Sequence, residues 1–160
     1  MGKLVVVFMK KLVPIFLILL VASSNVYADD YQDGLAAITR KDYKRAYNLF
    51  MPLAEQGDAK AQLRLGFMYD LGQGVQKDDK EAIKWYRLAA EQGNTTAQFR
   101  LGTLYLLGEE VPQDDKKAVK WLRLAAEQGE VLAQSRLGTM YLHGVGVPQD
   151  DKKAVKWLRL

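Results

Sequence analysis

The chain has 160 residues, of which 49% are hydrophobic and 26% are charged, and its formal net charge is +4. This length favours one domain with a sizeable apolar core. Because the chain contains no cysteine, disulfides, thiolate nucleophiles and cysteine metal sites are excluded, and apolar packing must hold the fold together.

The first 28 residues have the pattern of a secretory signal peptide. Lysines precede an apolar run over 12–22, and a short polar stretch ends in Ala28. A basic start, an apolar centre of this length and a small residue at the cleavage point are typical of exported chains. A membrane-spanning helix needs about 20 apolar residues. We therefore predict a start at Met1 or Met9, cleavage after Ala28 and a periplasmic or secreted location, with an uncleaved anchor as the alternative.

Removal of residues 1–28 changes the charge balance. That segment holds three lysines and no acidic residue, so the remainder carries 4 − 3 = +1. Nucleic-acid partners are recognised through a basic surplus. We therefore expect no nucleic-acid partner, and no membrane span once the signal is removed.

Identical residues recur at a step of 36 through the rest of the chain. Self-similarity at a fixed period is the signature of a repeat architecture. Within each unit, two segments carry apolar residues at i, i+4, i+7 and i+8, which predicts two amphipathic helices. A loop such as "GEEVPQD" separates them. The ladders that define the structural core of the repeat are Gly66, Gly102 and Gly138; Trp85, Trp121 and Trp157; and Tyr69, Tyr105 and Tyr141.

Capping residues set the predicted ends of these helices. Asp78 followed by Glu81 predicts a reciprocal capping box at the start of a second helix. Asp58 and Asn94 suit the start of a first helix, whereas Glu130 at the same place should cap less well. The predicted units are an irregular or capping helix pair over 29–57, repeats over 58–93 and 94–129, and a truncated repeat over 130–160.

The glycines inside the first helices predict close packing. Glycine in a helix costs about 1 kcal/mol relative to alanine, so its recurrence predicts that another helix backbone passes too close for a Cβ atom. The tryptophans are predicted to fill the space that remains. One helix pair cannot bury such a face, so the pairs must stack. The predicted fold is all-α.

These motifs resemble a known family. The phrases A-x-A-Q-x-x-L-G-x-x-Y-x-x-G, D-x-x-x-A-x-x-W and A-A-x-x-G at this step are similar to the Sel-one-like repeat of the tetratricopeptide-like superfamily. The resemblance covers 31–160 and implies a right-handed α-solenoid of about four helix-loop-helix repeats. It also implies a scaffold or adaptor that holds a protein or peptide on its concave face.

The resemblance leaves two alternative functions open. Some cysteine-rich members are described as β-lactamase-like hydrolases, but this chain lacks both cysteine and an S-x-x-K motif. Regulation of an envelope enzyme is the other alternative. We expect a non-enzymatic protein without cofactor, metal or catalytic residue.

Four positions of the first helices vary between repeats and lie on one helix face. Positions that are not constrained by packing between helices can face a partner, so we predict a partner-binding stripe here. Neutral drift of solvent-exposed positions is the alternative. The predicted stripe consists of Lys60, Thr96 and Leu132; Leu63, Phe99 and Ser135; Phe67, Thr103 and Thr139; and Asp70, Leu106 and Leu142.

Other polar residues have simpler interpretations. His143, the single histidine, is predicted to be solvated near a helix end. The paired aspartates at each second-helix start are interpreted as caps, and the basic residues Lys116, Lys117, Lys120 and Arg123 as a solvated face. Glu110 stands where the other loops have Gly74 and Gly146, so it is either strained or held in a loop of different shape.

The sequence stops inside its last helix, at Leu160. Two expectations follow from this position. Either the last repeat is truncated, or its open end docks against a partner or a second copy of the chain.

Overall fold

A computed structural model describes residues 29–159, so the predicted signal peptide lies outside the described residues. In the described part the helices are joined by loops, and no strand is assigned. The eight helices are α1 (29–39), α2 (Tyr43–Glu55), α3 (Ala59–Leu71), α4 (Asp79–Glu91), α5 (Thr95–Leu107), α6 (Asp115–Glu127), α7 (Val131–His143) and α8 (Asp151–Leu158).

The helices stack in chain order. From α2 to α8, each helix packs chiefly against the helix before it and the helix after it. The buried apolar residues form three clusters that follow one another along the stack. In a repeat protein each unit contacts only its neighbours. The arrangement therefore confirms the predicted all-α stack of helix pairs.

The helix ends follow the predicted capping residues in most places. Asp58 accepts a hydrogen bond from Ala61 N at 2.7 Å, and Asn94 accepts one from Ala97 N at 3.0 Å. The backbone N–H of Lys117 donates to Asp114 at 2.9 Å, which lowers the pKa of that carboxyl. These side chains satisfy backbone donors that have no partner within the helix.

The reciprocal half of the predicted capping box is absent. Asp78 accepts from the N–H groups of Lys80 and Glu81, as predicted. Its own N–H donates to the carbonyl of Tyr69 at 3.0 Å, while the Glu81 carboxylate pairs with Lys84 at 3.0 Å. The prediction fails because the end of α3 lies close enough to take the donor that a capping box needs.

Glu130 is the weakest first-helix cap, because its longer side chain reaches Leu132 N at 3.4 Å. We expect Glu130→Asn to raise the free energy of unfolding by about 0.5–1 kcal/mol, measured by urea denaturation. The matched control is Asn94→Glu, which should lower it by a similar amount. A stability unchanged in both variants would contradict this capping assignment.

The glycines of the first helices each lie under one side chain of the following second helix. A Cβ atom built on Gly102 would lie 2.6 Å from Leu122 Cγ and 3.1 Å from Leu122 N. Gly138 meets Leu158 in the same way, and Gly66 meets the ring of Tyr86. The backbone of the second helix comes close at Gly102 and Gly138, as predicted, but the closest atoms at all three glycines belong to a side chain.

The N-terminal helix pair follows the same packing rule with a shorter loop. Gly34 lies under the ring of Phe50, and Phe50 precedes Tyr86 by the repeat step of 36. The glycine and its partner are 50 − 34 = 16 residues apart here and 86 − 66 = 20 apart in the next pair. The missing residues are replaced by a tight turn in which Lys41 has φ 61°.

The tryptophans lie between repeats and differ in burial. Trp85 is 7% exposed and belongs to the same core cluster as Phe50 and Met68. Trp121 is half-buried and contacts two successive core clusters, and Trp157 is half-buried as well. The residues directly after the first two tryptophans, Tyr86 and Leu122, are buried more deeply.

Candidate functional site

The predicted stripe runs along α3, α5 and α7 but is not uniformly exposed. Its first row is exposed in all three repeats: Lys60, Thr96 and Leu132. On α7 the three remaining positions are exposed too, whereas Leu63 on α3 is buried. The half-buried members of the stripe are Phe67, Asp70, Phe99, Thr103 and Leu106, and the exposed ones on α7 are Ser135, Thr139 and Leu142.

Arginines of the following first helix cover the two phenylalanines. The Arg100 guanidinium lies 4.9 Å from the centre of the Phe67 ring, and that of Arg136 lies 5.7 Å from the centre of the Phe99 ring. Such cation–π contacts contribute about 0.5–1 kcal/mol at exposed sites. Phe67 and Phe99 therefore link neighbouring repeats as well as forming part of the stripe.

A buried glutamine ladder ties the repeats together beneath this surface. Gln62 donates through Nε2 to the carbonyl of Ala54, and Gln98 donates in the same way to that of Ala90, both at 3.1 Å. Each also accepts at 2.8 Å from a glutamine 30 residues later, Gln92 or Gln128. In the sequence the ladder is visible only as glutamines that recur at the repeat step, so its hydrogen bonds were not predicted.

Three carboxylates meet at the junction between the second and third helix pairs. One carboxylate oxygen from each of Asp70, Asp79 and Glu110 lies within 4.8 Å of the others. Lys77 Nζ lies 3.1 Å from Asp79, and the Tyr86 hydroxyl donates to Asp70 at 3.0 Å. Among residues 29–159 this is the one group of three acidic side chains close enough to share a cation.

Backbone angles decide between the two alternatives for Glu110, a strained residue or a loop of different shape. Gly74 and Gly146 have φ of 75° and 69°, whereas Lys41 is the only non-glycine with positive φ among the described residues. The loop around Glu110 therefore has a different shape, and no strain of this kind. Burial, followed by the charges of Asp70 and Asp79, raises the pKa of Glu110.

The raised pKa predicts a pH-dependent stability. Below about pH 4.5 Glu110 is mostly protonated in both the folded and the unfolded chain, so its burial does not lower the free energy of unfolding. As the pH rises through its higher folded pKa, its ionisation destabilises the folded chain. We expect Glu110→Gln to raise the urea midpoint at pH 7 and to leave it unchanged near pH 4.

The matched control is Glu109→Gln, on the exposed neighbour in the same loop. The Glu109 charge is the smallest of the causes that raise the pKa of Glu110, so this variant should shift the midpoint at pH 7 much less than Glu110→Gln does. Equal responses of the two variants would show that the carboxylate cluster does not cause the pH-dependent change in stability.

The remaining polar candidates lie apart from one another. His143 is exposed at the last residue of α7, and Ser135, the only serine after residue 28, is exposed on the same helix. The second-helix aspartates Asp78, Asp114 and Asp150 act as N-caps. No helix of the described part is long and apolar enough to cross a bilayer.

Comparison with protein families decides the family question. Four consecutive matches to the Sel1 repeat cover residues 25–58, 59–94, 95–130 and 131–160. The chain belongs to the Sel1 repeat family. Sel1-repeat proteins are generally scaffolds for protein interaction and are typically non-enzymatic. A comparison with curated proteins found no match.

Two solved Sel1-repeat structures are similar to this chain. One is a protective antigen present in uropathogenic Escherichia coli strains, with 37% identity and a TM-score of 0.79 over 86% of this chain and 30% of its own. The other is a Sel1 repeat protein from Oxalobacter formigenes, with 36% identity and a TM-score of 0.77 over 81% of this chain and 53% of its own. The chain thus spans less than two thirds of either protein.

A cysteine-rich relative shares only the fold. Helicobacter pylori cysteine-rich protein B has 23% identity and a TM-score of 0.56 over 72% of this chain and 83% of its own. At this identity the likeness supports the Sel1 helix stack and carries no activity with it.

Proposed function

We propose that this Sel1-repeat chain is an exported scaffold that binds a protein or peptide along the stripe of its first helices. The observation that carries the proposal is that variation and exposure coincide in the first row of the stripe. Lys60, Thr96 and Leu132 differ from repeat to repeat and are all exposed, whereas the constant glutamines at 62, 98 and 134 are buried. A surface that repeat packing does not constrain can be shaped by a ligand.

The exposed part of the stripe has a mixed apolar and polar character. Leu132 and Leu142 are 59% and 40% exposed, and the hydroxyl side chains of Ser135 and Thr139 lie between them in sequence. Burial of apolar surface is worth about 25 cal/mol per Å², while hydroxyl groups fix the register of a bound chain through hydrogen bonds. This combination suits a peptide segment with spaced apolar side chains.

The test is crosslinking capture with charge introduced into the stripe. Thr96→Glu/Leu132→Glu changes two exposed positions of the first row. The matched control, Glu91→Lys/Glu127→Lys, changes two exposed positions of the second helices. We expect partners captured from the native envelope to be lost from the stripe variant and retained by the control. Recovery of the same partners by both variants would contradict the proposal.

We also propose that the chain is exported and that it is not an enzyme. The pattern of residues 1–28 supports cleavage after Ala28, so N-terminal sequencing of the protein from its native host should begin at Asp29. Retention of residue 28 or earlier residues would contradict cleavage there. Turnover of nitrocefin by the purified chain would contradict the non-enzymatic assignment.

A further inference from the structure

A groove of about 410 Å³ lies between α6 and the loop that joins α7 to α8. Its rim is basic, because Lys116, Lys120 and Arg123 line it, and no acidic residue does. None of the stripe residues takes part in it. The apolar side chains of the groove are Val119, Leu124 and Val147.

The three cations of this groove are not neutralised within the described part of the chain. Among residues 29–159, no carboxylate lies within 4.0 Å of their nitrogens. Of the two acids at the start of α6, Asp114 pairs with Lys117 at 3.0 Å and Asp115 accepts from the Gln113 amide at 3.0 Å. Arg123 donates to the Tyr141 hydroxyl at 2.8 Å. That bond fixes the guanidinium without cancelling its charge.

One of the equivalent cations on α4 is balanced by an acid. Lys84 corresponds to Lys120 and pairs with Glu81 at 3.0 Å. On α6 the place of Glu81 is taken by Lys117, a change of sign. The α4 helix therefore provides an internal comparison with the same fold and a weaker positive potential.

The loop between α7 and α8 has a glycine where the loop between α5 and α6 has an acidic residue. The residue that faces the start of α4 from the next loop is Glu110, whereas Gly146 faces the start of α6. Gly146 has φ +69°, and a Cβ there would overlap the carbonyl oxygen of Asp115. Because no side chain fits at this position, the groove stays open along that edge.

We propose that this groove binds an acidic segment of a partner protein that carries an apolar side chain. The partner carboxylates face Lys116 and Lys120, where opposite charges attract and steer association. The apolar side chain covers Val119, Leu124 and Val147. A peptide fits better than a nucleic acid, because the groove has an apolar floor and residues 29–160 carry a net charge of only 4 − 3 = +1.

The test uses a fluorescein-labelled heptapeptide of alternating glutamate and leucine, read by anisotropy at low salt. One comparison peptide replaces each glutamate with glutamine, and another replaces each leucine with serine. Both should bind at least about tenfold more weakly than the probe, since each removes one half of the recognition. Equal binding of the probe and the glutamine peptide, including no binding of either, would overturn the proposal.

Matched variants locate the site. Lys116→Glu/Lys120→Glu should weaken probe binding at least about tenfold, and Lys116→Gln/Lys120→Gln should have an intermediate effect. The control, Lys80→Glu/Lys84→Glu on α4, should stay within about twofold. An equal loss in the control would place binding elsewhere and overturn the proposal. So would a single-stranded oligonucleotide or anionic vesicle that binds more tightly and is lost in the α6 variant.

The groove and the proposed function can fail separately. Thr96→Glu/Leu132→Glu should leave binding of the acidic probe unchanged, because those side chains lie on other helices. If this variant loses its envelope partners but keeps the probe, both assignments stand. If it loses the probe as well, the groove assignment falls.

Discussion

Replacement of Leu122 with alanine should lower the free energy of unfolding by about 2–5 kcal/mol. Leu122 is among the largest fully buried side chains, and it lies directly on Gly102. Truncation leaves a cavity between α5 and α6 that the surrounding helices can close only in part. Urea denaturation followed by circular dichroism measures the loss.

The control for this prediction is Leu124→Ala, two residues further along α6. Leu124 is 37% exposed, so its truncation removes less buried surface and should cost about 1 kcal/mol or less. Equal losses in the two variants would show that Leu122 has no special role in joining the helices.

Replacement of Gln98 with leucine should lower the free energy of unfolding by about 1–3 kcal/mol. Gln98 is 4% exposed, and it serves the Ala90 carbonyl and the Gln128 amide together. Leucine has a similar size but makes neither of these two hydrogen bonds. The Ala90 carbonyl then keeps only backbone donors such as the N–H of Gly93, and the Gln128 amide loses its buried acceptor, so the cost comes from lost hydrogen bonds.

The control is Gln76→Leu, on an exposed loop residue. Its stability should change by less than about 0.5 kcal/mol. A double variant that also changes Gln128 should lose less than the sum of the two single changes, because the shared bond can be lost only once. Full additivity would contradict the ladder.

Local signals explain what the sequence could predict. The period of 36, the two helices of each unit and their caps depend on residues a few positions apart, and these appear in the structure at the expected places. Asp58 and Asn94 cap as predicted, and Glu130 caps more weakly. The Asp78 capping box fails in one half because a carbonyl of α3 competes for its N–H.

Contacts between distant segments explain what the sequence could not predict. The glycine ladder shows that space is limited, but only the packing of two helices reveals Leu122 or Tyr86 as the neighbour. Likewise, the substitution of Glu110 for glycine is visible in the sequence. Its approach to Asp70 and Asp79 depends on where the loop docks.

The candidate surface, too, could be predicted from the sequence only in part. Variation between repeats identified the stripe, whose function stays a prediction. It could not distinguish exposed members such as Thr96 from Phe67, because the arginine that covers Phe67 belongs to the next repeat. The basic groove on α6 requires a loop from the following repeat, so inspection of one helix gave only a solvated face.

The most direct test of the helix packing within each repeat is a double-mutant cycle between Gly102→Ala and Leu122→Ala. Gly102→Ala alone should destabilise by about 1–3 kcal/mol, since its new Cβ would lie 2.6 Å from Leu122 Cγ. In the double variant the shortened side chain makes room for that methyl group. This packing predicts that the double variant is more stable than the sum of the single changes by about 1–2 kcal/mol. Additivity within about 0.5 kcal/mol would contradict it.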